Sequence, residues 1–116
     1  MSAEVSEADT AVALGSGAVP VLATPRLIAL CEQATCAALE GHLEPGLTSV
    51  GWRVQFDHSK PTAVGGKVTV EATLERMEGR RLTFAVSARD ASGLMVGAGK
   101  VTRVLVDVEG FLARGS

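Results

Sequence analysis

The sequence is poor in rings. Aromatic residues make up 3% of it, namely Trp52, Phe56, Phe84 and Phe111, and there is no tyrosine. So few rings exclude a base-stacking platform for single-stranded nucleic acid. They also mean that the core must be built from Val, Leu and Ala. No excess of either charge is present: the formal net charge is -2 at pH 7 and the pI about 5.6. There is thus no strong field to draw DNA or an anionic membrane. Two cysteines, Cys31 and Cys36, make no metal framework. They lie five apart in what reads as one helix, with diverging side chains, so a disulfide between them is not expected. No apolar run reaches the length of a membrane span. The stretch from Ala11 to Leu22 is interrupted by Gly15, Gly17 and Pro20. Glu4, Glu7 and Asp9 precede the first base, Arg26. That polarity is opposite to a signal peptide's. The expectation is a cytoplasmic protein with reduced thiols.

What is present suits one domain. The chain has 116 residues, 47% of them hydrophobic, enough for one core and not two. Residues 1–8 read as a flexible N-terminal tail and 9–116 as the domain. Residues 9–14 are expected to form a short first strand, followed by the Gly15-Ser16-Gly17 connection. Thr24 is expected to cap a helix, with Pro25 at its first position, where a missing N–H costs nothing. Gly41 ends it. Leu27, Ile28, Leu30, Cys31, Ala34, Ala37, Ala38 and Leu39 surround this helix almost completely, which marks it as buried.

The remainder alternates with strand period. Val50, Trp52, Val54 and Phe56 are expected to share the inward face of a strand over 48–58, and one further step puts His58 there too. Val68, Val70, Ala72 and Leu74 repeat the pattern over 67–76. Glu78-Gly79 reads as a hairpin turn into 81–89, where Leu82, Phe84, Val86 and Ala88 face inward. Asp90-Ala91-Ser92-Gly93 is a second turn. Gly97 and Gly99, in a last strand over 94–107, signal a bulge or a close backbone approach. A buried helix across one twisted antiparallel sheet is an α+β layer arrangement. Such a sheet leaves an unpaired edge, so a homodimer, with higher assembly left open, is expected.

Three segments carry a family resemblance. They are Val21-Leu22-Ala23-Thr24-Pro25 with Glu32 in the following helix; His58-Ser59-Lys60-Pro61-Thr62-Ala63-Val64-Gly65 leading into Val68-Thr69-Val70; and Glu78-Gly79-Arg80-Arg81-Leu82-Thr83-Phe84 with Gly97-Ala98-Gly99 and Arg103. Together they resemble the fluoroacetyl-CoA thioesterase-like family of the hot-dog superfamily over about residues 20–108. The resemblance implies a long central helix wrapped by a five-stranded antiparallel sheet. It also implies a homodimeric acyl-CoA hydrolase with sites at the subunit interface, and catalytic roles for Thr24, Glu32 and His58. Gly51 falls on the family's glycine near the substrate carbonyl. Two departures matter. Val101 stands where family members often carry a histidine, and the segment from Gly15 to Leu22 lacks the lid phenylalanines of fluoroacetyl-specific members.

The chemistry fits those residue types. Thioester hydrolysis needs an attacking oxygen, a proton acceptor and donors for the oxyanion. Glu32 could serve as general base on water or as direct nucleophile, and both routes stay open at this point. His58 could orient the carboxylate or pass a proton to the leaving thiolate. Thr24 could cap the helix or, with the free N–H groups there, hold negative charge. Glu32 and His58 are expected to converge on one shielded cleft. Gly51, Trp52 and Pro61 are the candidate substrate-binding residues, with Trp52 flooring a short acyl pocket. The Arg80-Arg81 pair reads as a solvated turn or as a contact for CoA phosphates. No metal site, cofactor, nucleic acid or membrane partner is expected. Competing readings are a non-catalytic acyl-CoA-binding module and an enoyl-CoA hydratase-type enzyme. For the latter, Asp57 and His58 are adjacent but point to opposite faces.

Overall fold

A computed structural model describes residues 1–115; Ser116, the last residue of the expected domain, lies outside the described residues. Five strands form one antiparallel sheet: β1 (Ser2–Glu4), β2 (Leu47–His58), β3 (Lys67–Glu78), β4 (Arg81–Asp90) and β5 (Met95–Asp107). Their spatial order is β1-β3-β4-β5-β2. A 3-10 turn (Glu7–Asp9) and three α-helices accompany them: the single turn α1 (Ala11–Leu14), the long α2 (Thr24–Leu39) and α3 (Val108–Arg114). The turns obey the local chemistry. β3 and β4 are joined through Gly79-Arg80, with Glu78 paired to Arg81, and Gly79 takes φ +61°. At the next turn the Asp90 carboxylate accepts from the backbone N–H groups of Ser92 and Leu94.

α2 packs chiefly on β3, across the inner face of the sheet. Leu27, Cys31, Phe84, Ala88, Val96 and Val101 are fully buried there. Each large apolar side chain so placed is worth about 1.5–3 kcal/mol. On β4 the expected inward set, Leu82, Phe84, Val86 and Ala88, is buried. On β3 Val68 and Val70 are buried and Ala72 half-buried, but Leu74, expected inward, is exposed beside the register shift between Leu74 and Arg76. The helix is not enclosed all round. Cys36, Ala37 and Ala38 remain exposed, because one sheet covers one face. The two expected glycines mark a close approach: a Cβ on Gly97 would lie 2.6 Å from the Phe56 ring, and one on Gly99 would collide with the Gln55 carbonyl.

Two expectations need correction at the N-terminus. Residues 1–8 are not a tail: Ser2–Glu4 pairs with Lys67–Thr69 as the edge strand β1, and Val5 is buried in the core. The strand expected over 9–14 is instead a helical turn. Thr10 accepts from the Ala13 N–H, and Gly15 closes the turn at φ +70°. All that survives of strand pairing is a bridge from Thr10 to Leu22.

β2 carries the third correction. Gly51 pairs with Arg103 and Arg53 pairs with Thr102, so Trp52 is an extra residue in the ladder. A bulge of this kind shifts the phase of alternation by one. Ser49 and Gly51 therefore face the helix before it, and Phe56 and His58 face it afterwards. Val50 and Trp52, expected inward, lie on the outer face with Arg81 and Val104.

Candidate active site

α2 begins at Thr24, but Thr24 does not cap it. Ala23 occupies the cap position with no side-chain bond, and Pro25 sits in the first turn. The Thr24 hydroxyl is turned instead to His58, with Oγ1 2.7 Å from Nδ1. Burial pushes the His58 pKa below its ordinary value, partly opposed by a hydrogen bond with the Lys60 backbone. Burial thus favours the neutral ring, and its buried Nε2 has no hydrogen-bond partner among the described residues. A cavity of about 250 Å³ opens beside this pair, lined by Thr24, His58 and Pro61, with Ala11, Ser16 and Leu22 among the other walls. Arg26, in the first turn of α2, donates from Nε to Asp9 at 2.9 Å and so ties the stretch just before α1 to the helix that bears Thr24.

Glu32 belongs to a second cluster. Its Oε2 fills the space above Gly51, where a Cβ would sit only 2.5 Å away. Arg103, 7% exposed, approaches the same oxygen from Nη1 at 3.7 Å. The guanidinium is fixed by Ser49, whose Oγ accepts from Nε at 2.8 Å and whose carbonyl accepts from Nη2 at 3.1 Å. An arginine fork held at two points has one direction left for its third nitrogen. Ser49 was not singled out in the sequence, where it reads as an outward strand residue; only the bulge at Trp52 turns it inward.

The two clusters do not meet within one chain. Thr24 and Glu32 are eight residues apart on α2, roughly 12 Å along its axis. Gly51 and His58 are separated by roughly 20 Å of strand. One chain therefore unites Thr24, His58 and Pro61 at one end, and Glu32, Gly51, Arg103 and Ser49 at the other. The single cleft expected for Glu32 and His58 is absent from the isolated chain. Trp52 is absent from both clusters: it faces outward, with Arg53 and Arg81 over its ring at 4.5 and 4.3 Å. It cannot floor an acyl pocket beside α2. Among the described residues, no group of three or more His, Cys, Asp or Glu could hold a metal ion.

A helix cradled by a five-stranded antiparallel sheet, with a hydroxyl–imidazole pair at the helix start and a carboxylate further along it, defines a hot-dog-fold thioesterase. The model of the fluoroacetyl-CoA-specific thioesterase family matches residues 5–109, and the chain belongs to that family. Among curated relatives, it is 38% identical over 94 residues to the fluoroacetyl-CoA thioesterase of Streptantibioticus cattleyicolor, covering 81% of this chain and 67% of the relative. A solved fluoroacetyl-CoA thioesterase superposes with TM-score 0.92 at 32% identity, covering 98% of this chain and 88% of the other. A hot-dog-like protein from Thermanaerovibrio acidaminovorans superposes with TM-score 0.90 at 30% identity, over 98% and 84%.

Proposed function

We propose that this single-domain protein hydrolyses a short or medium acyl-CoA thioester to the free acid and CoA, working as a homodimer in the cytoplasm. The observation that carries this reading is the Glu32 carboxylate lodged over Gly51, in space that only a glycine leaves free. It stands beside a buried guanidinium and faces the edge strand β2. The relative from Streptantibioticus cattleyicolor bears the name of a fluoroacetyl-CoA thioesterase, and a solved relative holds fluoroacetate and CoA. Here Gly15 to Leu22 contains no phenylalanine, which favours a plain acyl group over fluoroacetyl.

The edge strand β2 supports the dimer. This edge strand of 12 residues has one unpaired side, and Val54 on it is exposed. Exposed edges of that length invite pairing. An antiparallel pairing about a two-fold axis near Val54 and Gln55 would bring Thr24 and His58 of one copy beside Glu32 and Gly51 of the other. The site is then complete. Glu32 takes the proton of an attacking water or attacks the carbonyl itself. The free N–H groups at the start of α2 and the Thr24 hydroxyl stabilise the oxyanion. His58, whose Nε2 has no partner among the described residues, orients the reacting groups.

Thiol release from a panel of acyl-CoA esters tests the activity. Glu32→Gln should lower kcat by on the order of 10²–10⁴ with the fold retained. Co-expressed Glu32→Gln and His58→Ala chains, each inactive alone, should recover about a quarter of the native activity, since half the dimers are mixed and carry one intact site. Full activity in Glu32→Gln would remove the carboxylate from the mechanism, and no recovery on mixing would refute the shared site. Tight binding of CoA esters with no hydrolysis anywhere on the panel would support the non-catalytic alternative.

A further inference from the structure

The outer face of the sheet carries a second cavity, of about 480 Å³, that the chemistry above leaves unused. Val50, Val104, Val106 and Phe111 form an apolar floor, Trp52 stands at one side, and Arg80, Arg81 and Arg114 rim it. Arg53 and Arg81 both lie over the Trp52 ring. The chain has eight arginines, and four of them gather here. None of these four has a carboxylate partner among the described residues, whereas Arg26, Arg76 and Arg103 do. The one acid in the lining, Asp107, is engaged with the Gly110 N–H at 2.8 Å.

Four unneutralised guanidiniums together repel one another, and the chain's net charge of -2 makes their concentration at one place the more telling. Arginine is the residue suited to phosphate, through paired N–H donors. The apolar floor of Val50, Val104, Val106 and Phe111 suits a planar ring. The volume lies within the usual range of small-molecule sites. We infer that this cavity holds the phosphorylated adenosine end of CoA, so that the arginine rim is the enzyme's grip on the substrate's handle. The inference rests on the acyl-CoA reading above. It also draws on the bulge: Gly51 faces Glu32 and the next residue, Trp52, faces the cavity.

Trp52 is the only tryptophan, so its fluorescence reports on the cavity without a label. Titration of the whole protein with adenosine 3′,5′-bisphosphate should give a saturable change below about 1 mM that weakens with salt. Arg80→Ala/Arg81→Ala should raise the dissociation constant roughly tenfold or more. It should raise KM for an acyl-CoA by a similar factor, leaving kcat, and KM for the matching acyl-pantetheine, unchanged. Arg114→Glu, on a different element, should act in the same direction. The inference falls if no saturable change occurs, or if inorganic phosphate binds as tightly. It falls equally if the double variant leaves acyl-CoA KM unaltered, or if these arginines prove to govern only association between copies. The titration needs no turnover. Hydrolysis without nucleotide binding overturns the grip alone, and nucleotide binding without hydrolysis overturns the catalytic reading alone.

Discussion

Gly51 shows how much one missing methyl can carry. Gly51→Ala would place a carbon 2.5 Å from Glu32 Oε2, far inside contact distance, and the flexible carboxylate would swing away rather than the sheet unfold. The expected result is a fall in kcat of roughly 10–100-fold with the circular dichroism spectrum unchanged. His58 allows a prediction about pH. Burial lowers its folded pKa, so the native state resists the charged form while the unfolded chain accepts a proton near pH 6.5. The stability tied to the neutral ring is therefore complete above about pH 6.5 and is lost as the pH falls below it. Thermal melts between about pH 7.5 and 5 should show a steeper acid decline in the native protein than in His58→Gln; equal declines would count against it. These roles were only partly legible beforehand. Thr24, Glu32 and His58 stand out through the family resemblance, but a Thr before a Pro-led helix reads equally well as a cap. The contact from Thr24 to His58 is a tertiary fact that no local pattern contains.

Among the elements, α2 is two-sided, and its cysteines register the two sides. Cys31 is fully buried and Cys36 exposed. Burial, with a smaller effect from the neighbouring Glu32 charge, pushes the Cys31 thiol up to about 11. A thiol reagent at neutral pH should therefore modify one cysteine per native chain and two after denaturation, counted by intact mass; rapid double modification of the native protein would contradict this packing. The order and turns of β2 to β5 were readable from alternation and from Gly79 and Gly93. The bulge was not. Val50, Trp52, Val54 and Phe56 keep an unbroken period of two in the sequence, and the extra residue exists only relative to β5, where Gly51 and Arg103 must pair. The phase slip carries Trp52 out and Ser49 in. β1 was missed for a related reason. Three residues are too short for a periodic signal, and Ser2–Glu4 becomes a strand only because β3 offers it an edge.

For the molecule as a whole, the decisive feature is the distance between the two clusters. A chain that keeps its hydroxyl–imidazole pair at one end of α2 and its carboxylate further along has both halves of the chemistry and no complete set. In the proposed dimer each protomer would be donor and recipient at once. A chain altered in both places, Glu32→Gln/His58→Ala, would spoil both centres of any pair that it joins, whereas either single change would spoil one. Titrating such a poison subunit into native protein should depress hydrolysis steeply, as the square of the native fraction. A decline in simple proportion to that fraction would show each protomer to be self-sufficient. That dimer would make turnover a property of concentration: on dilution the protein would fall silent, and a cell holding few copies would hold fewer working ones than a census of chains suggests.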